Sequence, residues 1–215
     1  MKIRKARKEE IKAIVFDIGN VLITEDNPKV ILDLENKFNL DKNKFKLARR
    51  KYLNKSLVRN NSFWFERKVA KKLNIDKNLF VNYWYKLINK NHFLNKEVVN
   101  IIKVLRKNKY FLATLTDVNY SYEKIREKFN IYSLFDIKIK SIDLKTIKSK
   151  KKIYRILLNR LKVDPREIIF IDDFKINLEL AREFGIKTIL FKNSKQLKKD
   201  LIELGVKFQP RRKKL

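Results

Sequence analysis

The chain has 215 residues, 44% of them hydrophobic, with 15 Phe, 8 Tyr and 2 Trp; that is enough for a packed core and too apolar for a disordered chain. Lys and Arg number 54 against 24 Asp and Glu, a net charge of +30, and the absence of Cys excludes disulfides, thiolate metal sites and a Cys nucleophile. No apolar run reaches the roughly 18–20 residues of a membrane span, and the charged stretch from Met1 to Lys12 does not suit a signal peptide, so a cytoplasmic location is expected.

Residues 11–16 are the first short apolar run rich in β-branched side chains and predict a strand. Residues 28 to 107 then show no convincing strand; the segments 30–38, 45–53, 63–73 and 79–88 carry amphipathic helical spacing. They predict a helical insertion that forms a small cap, in which the aromatics around Trp64 and Trp84 are core material rather than a base-stacking platform. His92, the single histidine, has no paired Asp or Ser motif and reads as structural or exposed. Strand patterns resume at 110–115, 135–139, 168–171 and 187–191, alternating with helical patterns at 122–129, 151–161 and 176–184. Asp164-Pro165 reads as a turn and Gly185 as a left-handed helix cap. Apolar runs without clean alternation suit strands covered on both faces. Strand–helix alternation predicts an α/β fold, a doubly wound parallel sheet with a small helical cap insertion. The expected divisions are a core of residues 10–27 and 105–208, a cap of 28–104 and a basic tail of 209–215.

Three strands are each followed by oxygen-bearing side chains: Asp17 after the first, Thr116 and Asp117 after the second, Asp172 and Asp173 after the fourth. In an open parallel sheet, ligands bind beyond the carboxyl ends of the strands, so these groups converge on one crevice. Clustered carboxylates repel one another unless a cation joins them, and magnesium favours carboxylates, waters and a phosphate oxygen.

These stretches resemble the haloacid dehalogenase-like superfamily over nearly the whole chain. Ile14 to Val21 is similar to its first motif, Leu115-Thr116-Asp117 to its second, and Phe170-Ile171-Asp172-Asp173 with Asn177 to its fourth. Lys148, with Tyr154 six residues later, resembles the third. The Phe-Asp-x-Gly-Asn-Val opening and Ser141-x-Asp143-Leu144 resemble a bacterial subgroup of sugar-phosphate phosphatases that act on glucose-1-phosphate. The resemblance implies a magnesium-dependent phosphohydrolase acting on a small phosphorylated metabolite through an aspartyl-phosphate. It implies Asp17 as nucleophile, Thr116, Asp117 and Lys148 at the phosphate, Asp17, Asp172 and the carbonyl of Gly19 at Mg2+, and Asp173 and Asn177 in support. Most phosphatases of the superfamily carry a general-acid Asp two residues after the nucleophile. Here Gly19 stands there, as in the similar subgroup, so the reaction would need water, another residue or an already stable leaving group. Gly19 also disfavours dehalogenation, because dehalogenases of this type usually have Tyr at that place. Ser149, Lys145 and Asp117 replace the usual Pro, Gly and Asn.

The net charge of +30 permits a second reading, a catalytically weak member that binds RNA or another polyanion. The lysines are spread along the chain, and Gly and Pro are each only 3 while residues with A/T-rich codons abound, so compositional bias is the preferred account.

Overall fold

The computed structural model describes residues 10–208; the basic tail predicted at 209–215 lies outside them. Strand β1 (Ala13–Phe16) is followed by the short β2 (Ile23–Glu25). Four helices come next: α1 (Asn27–Phe38), α2 (Lys42–Ser56), α3 (Trp64–Lys72) and α4 (Lys77–Lys90). The chain continues through β3 (His92–Leu94), α5 (Lys96–Lys107), β4 (Phe111–Thr116), α6 (Tyr120–Lys128), β5 (Ile137–Lys140) and the single-turn α7 (Ser141–Leu144). It closes with α8 (Lys151–Leu161), β6 (Ile168–Asp172), α9 (Lys175–Arg182), β7 (Lys187–Leu190) and α10 (Ser194–Glu203).

Five strands form a parallel sheet in the order β5-β4-β1-β6-β7, with Ala13 level with Phe111 on one side and Ile168 on the other. Side chains alternate between its two faces. On β1, Ile14 and Phe16 enter one apolar cluster with residues of α5 and α10; Ala13 and Val15 enter the opposite cluster with residues of α8 and α9. Both faces are covered, which is why the central strands read as continuous apolar runs rather than alternating ones.

A third cluster holds the cap helices together. Trp84 packs edge-on against Phe45, Phe65 and Phe80 with ring centroids 5.9, 5.5 and 5.4 Å away. Ile125 of α6 joins this cluster and ties the cap to the core. Asp26, Asp41 and Asp76 each accept a hydrogen bond from the main-chain N–H three residues ahead and so start α1, α2 and α4.

The insertion differs from the sequence expectation of 28–104 in two respects. Residues 92–94 form β3, which pairs antiparallel with β2 so that Glu25 lies opposite His92. Helix α5 packs with the sheet, not the cap: Val98, Ile101, Ile102 and Leu105 join the cluster that contains Ile14 and Phe16. Its amphipathic pattern resembles that of the cap helices, but its apolar stripe is covered by β-sheet. By this packing the insertion consists of α1 to α4, entered and left through the β2–β3 ribbon. His92 is buried, edge-on to Tyr122 at 5.1 Å. Among the described residues no helix is long and apolar enough to cross a membrane.

Candidate active site

Parallel pairing puts the carboxyl ends of β1, β4 and β6 side by side, and each delivers a polar side chain there. Asp17 leaves β1, Thr116 ends β4 and Asp172 ends β6; all three are buried. One Asp17 oxygen, Oδ1, accepts hydrogen bonds from the Ile18 N–H at 2.7 Å and from Thr116 Oγ1 at 2.8 Å. The other, Oδ2, lies 2.7 Å from Lys148 Nζ, which also sits 2.7 Å from Asp172 Oδ2. Lys148 comes from the turn before α8 and its side chain is only 4% exposed, so one ammonium bridges two buried carboxylates. Asp172 is held further by the Phe174 N–H at 2.8 Å and by Asn177 Nδ2 at 3.1 and 3.2 Å to its two oxygens. Asn177 is itself fixed by Tyr154, whose hydroxyl donates to its carbonyl at 2.9 Å.

Asp173 stands beside this group and accepts from Asn20 Nδ2 at 3.1 Å. Asp17, Asp172 and Asp173 each offer an oxygen within 4.8 Å of the others'. Burial first, then the charge of Asp17, raises Asp172 to about 6 and moves Asp173 upward too. Burial alone would lower Lys148, but the charges of Asp17, Asp172 and Asp117 outweigh it, so the ammonium is held firmly charged. Three carboxylates face one ammonium, an excess of negative charge on hard oxygen donors; that donor set suits a divalent cation such as magnesium.

Asp117, expected at the phosphate, turns its carboxylate instead to the main-chain N–H of Lys148, at 3.0 and 3.2 Å. A carboxylate repels a phosphate, and here it anchors the loop that carries the lysine. Burial raises it to about 6. Gly19 lies in the turn after β1, bridged to Ile23.

Two side chains were not singled out in the sequence. Arg126 of α6 is buried and donates from Nη1 to Thr116 Oγ1 at 3.0 Å, while Nη1 and Nη2 both reach the Asp117 carbonyl at 3.4 Å. Glu25 ends β2, with its side chain 11% exposed and Oε1 3.8 Å from Arg126 Nη2. Burial moves Glu25 above the ordinary carboxylate range, against the opposing pull of Arg126 and Asn27. As one of 54 cations, Arg126 carries no signal of its own; Glu25 lies close enough to the first motif to have drawn notice.

A cleft of about 700 Å³ lies between the cap and the outer residues of this site; Asp17, Lys148 and Asp172 are not part of its lining. Its floor includes Glu25, Asp117 and Arg126, and its cap wall carries Lys42, Lys46, Arg49 and Leu53. Those four wall residues recur at three- and four-residue spacing along one face of α2.

The family profile of the haloacid dehalogenase-like hydrolases matches residues 11–196. Over 67 residues the chain is 42% identical to bifunctional epoxide hydrolase 2 of Mus musculus, covering 31% of this chain and 12% of that protein. It is 29% identical over 94 residues to a phosphorylated carbohydrates phosphatase of Thermotoga maritima, covering 44% of this chain and 43% of that protein. The chain therefore matches less than half the length of these curated relatives. A HAD family enzyme of Bacteroides thetaiotaomicron superposes with a TM-score of 0.74 at 23% identity, over 86% of this chain and 95% of that one. The same enzyme in complex with magnesium and inorganic phosphate gives 0.70 at 24% identity, over 85% and 95%. These likenesses show the fold. With the family profile spanning the sheet, the cap and all four strand-end and turn positions that build the site, the chain belongs to the haloacid dehalogenase-like hydrolases.

Proposed function

We propose that this protein is a magnesium-dependent phosphatase that hydrolyses a small phosphomonoester through an aspartyl-phosphate on Asp17. The observation that carries the reading is the bridging ammonium: Lys148 lies 2.7 Å from both Asp17 and Asp172, inside a trio of carboxylates whose oxygens are within 4.8 Å of one another. This arrangement combines a nucleophile, a buried positive charge and a hard-cation site in one small space.

Asp17 attacks phosphorus with one carboxylate oxygen; the bond to the leaving oxygen breaks as the new one forms, and water later releases phosphate from Asp17. Thr116 and the Ile18 N–H orient the carboxylate for that attack. Lys148 offsets charge on the phosphoryl oxygens; Asp117 holds its main chain, and Asn177 holds Asp172, one of the two carboxylates that the ammonium bridges. A magnesium ion would be held by Asp17, Asp172 and the carbonyl of Gly19, with Asp173, whose oxygen lies within 4.8 Å of the other two carboxylates, in support; when bound it would neutralise phosphoryl charge.

Two things support a phosphorylated sugar or a metabolite of similar size as the substrate. One is the subgroup resemblance of the first motif. The other is the cleft of about 700 Å³ with the cations Lys42, Lys46 and Arg49 on its cap wall. The relative from Thermotoga maritima, named for phosphorylated carbohydrates, agrees with this class. The test is phosphate release from a panel of sugar phosphates and other phosphorylated metabolites, with magnesium and with chelator. Turnover is expected with the ion and to vanish in Asp17→Asn; phosphate release that survives both the chelator and Asp17→Asn refutes the proposal.

A further inference from the structure

Expelling an alkoxide from phosphorus needs a proton at the leaving oxygen, and the groups around Asp17 are poorly placed to supply one. Asp17 and Asp172 are paired with Lys148, the Thr116 hydroxyl donates to Asp17, and Asp117 accepts from the Lys148 main chain. Gly19, two residues past Asp17, has no side chain to offer.

The space over Gly19 is nevertheless filled. A Cβ built on Gly19 would stand 3.0 Å from Glu25 Oε1 and 3.6 Å from Arg126 Nη2. A carboxyl carried by β2 thus reaches back over the turn and occupies the position that a side chain at 19 would otherwise take. It is also firmly aimed. The Glu25 N–H donates to Asn20 Oδ1 at 3.2 Å, and Glu25 Oε2 accepts from Asn27 Nδ2 at 3.2 Å. Asn27 is locked in turn, because its Oδ1 accepts from the Tyr122 hydroxyl. Oε1 is left toward the Gly19 turn, 3.8 Å from Arg126 Nη2, and Glu25 lines the cleft.

We propose that Glu25 is the proton donor to the leaving group, acting from β2 across the space that Gly19 leaves open. The inference rests on the phosphatase reading above. In the first half-reaction the bond from phosphorus to the ester oxygen breaks, the bond to Asp17 forms, and the Glu25 proton passes to the departing oxygen, giving a neutral alcohol. In the second, the Glu25 carboxylate takes a proton from the attacking water, the Asp17–phosphorus bond breaks, and phosphate leaves with Glu25 again protonated. No outside reactant besides water is needed.

Glu25→Gln keeps the shape and the Asn27 contact but has no acidic proton. The experiment compares wild type and Glu25→Gln, with magnesium, on dinitrophenyl, para-nitrophenyl and phenyl phosphates and on glycerol phosphate. The esters of poor leaving groups should lose about 100–10,000-fold, while dinitrophenyl phosphate, whose leaving group departs as an anion, should turn over near the wild-type rate. A second variant joins Gly19→Asp to Glu25→Ala, bringing a carboxyl into the same space from the other side. The phenyl ester should recover about tenfold or more over Glu25→Ala alone. A loss of the same size on every ester, or none on any, overturns the proton donor and leaves the phosphatase reading standing. A wild-type protein that releases phosphate from none of the esters removes both.

Discussion

Replacing Lys148 with Met tests the electrostatics of the site without relying on any substrate. The side chain is 4% exposed, and its ammonium lies 2.7 Å from two carboxylates whose side chains are 9% and 0% exposed. Met retains most of the stem's volume, so little of the effect comes from a cavity. What is lost is the partner of a buried charge pair, which typically costs about 3–5 kcal/mol because the remaining charge has no compensation. For a chain of this size each kcal/mol moves the melting temperature by about 2–4 °C, so Lys148→Met should melt roughly 6–20 °C below wild type in chelator. A divalent ion in the carboxylate trio replaces part of the missing charge. A ligand at a hundred times its Kd stabilises the native state by about 2.7 kcal/mol, and the variant should gain more from magnesium than wild type does, since the ammonium no longer competes for the same oxygens. Thermal melts with chelator and with a magnesium titration measure both quantities. Equal melting of the two proteins in chelator, or an equal gain from magnesium, would refute the charge-balance account.

Asp117→Asn should make stability less dependent on pH. Burial holds the Asp117 carboxyl at about 6 in the folded protein against 3.8 when exposed. The native state therefore keeps its proton longer than the unfolded chain, and stability falls as pH rises through the interval between those two values. That difference is on the order of 3 kcal/mol by neutral pH, and Asn keeps an acceptor for the Lys148 N–H. Urea denaturation from about pH 4 to about pH 8 should show a shallower decline and higher stability above pH 6 in the variant; parallel curves would sink the assignment. Phe80→Ala removes a fully buried ring that meets Phe38, Phe45 and Trp84 at 5.3, 6.4 and 5.4 Å. It should cost about 3–5 kcal/mol in denaturant unfolding, and a loss under 1 kcal/mol would mean that the cap relaxes around the gap.

The sheet and the polar groups at its strand ends were legible for one reason. A parallel strand covered on both faces must be apolar throughout, so a sudden Asp or Thr at its end stands out, as at Asp17, Thr116 and Asp172. Lys148 needed the family motif, because in a chain this basic a single lysine carries no signal. Helix ends were hidden by the scarcity of glycine. Among the described residues eight non-glycine positions take positive φ, including Asn39, Asn130, Lys145 and Lys162 where a Gly would have marked a cap. From sequence the first part of helix α5 reads as insertion, because amphipathic spacing shows that a face is covered, not what covers it. Glu25 could not be placed over Gly19 from sequence, since its position depends on pairing with His92, far along the chain. Asp117 was placed by its motif neighbours, while its direction follows from the loop at Lys148.

The central place of β1 has a consequence for how the molecule assembles. Ribosomal synthesis makes this strand before its two lateral partners, which begin only at Phe111 and Ile168. Until both exist, a wholly apolar segment has neither edge satisfied, while α1 to α4 can already gather around Phe80 and Trp84. Sheet closure thus depends on contacts distant in sequence, which are slow to form and leave partly folded chains prone to associate. Slow refolding with early helix formation, and sensitivity of the yield to protein concentration, would be the mark of that order of events.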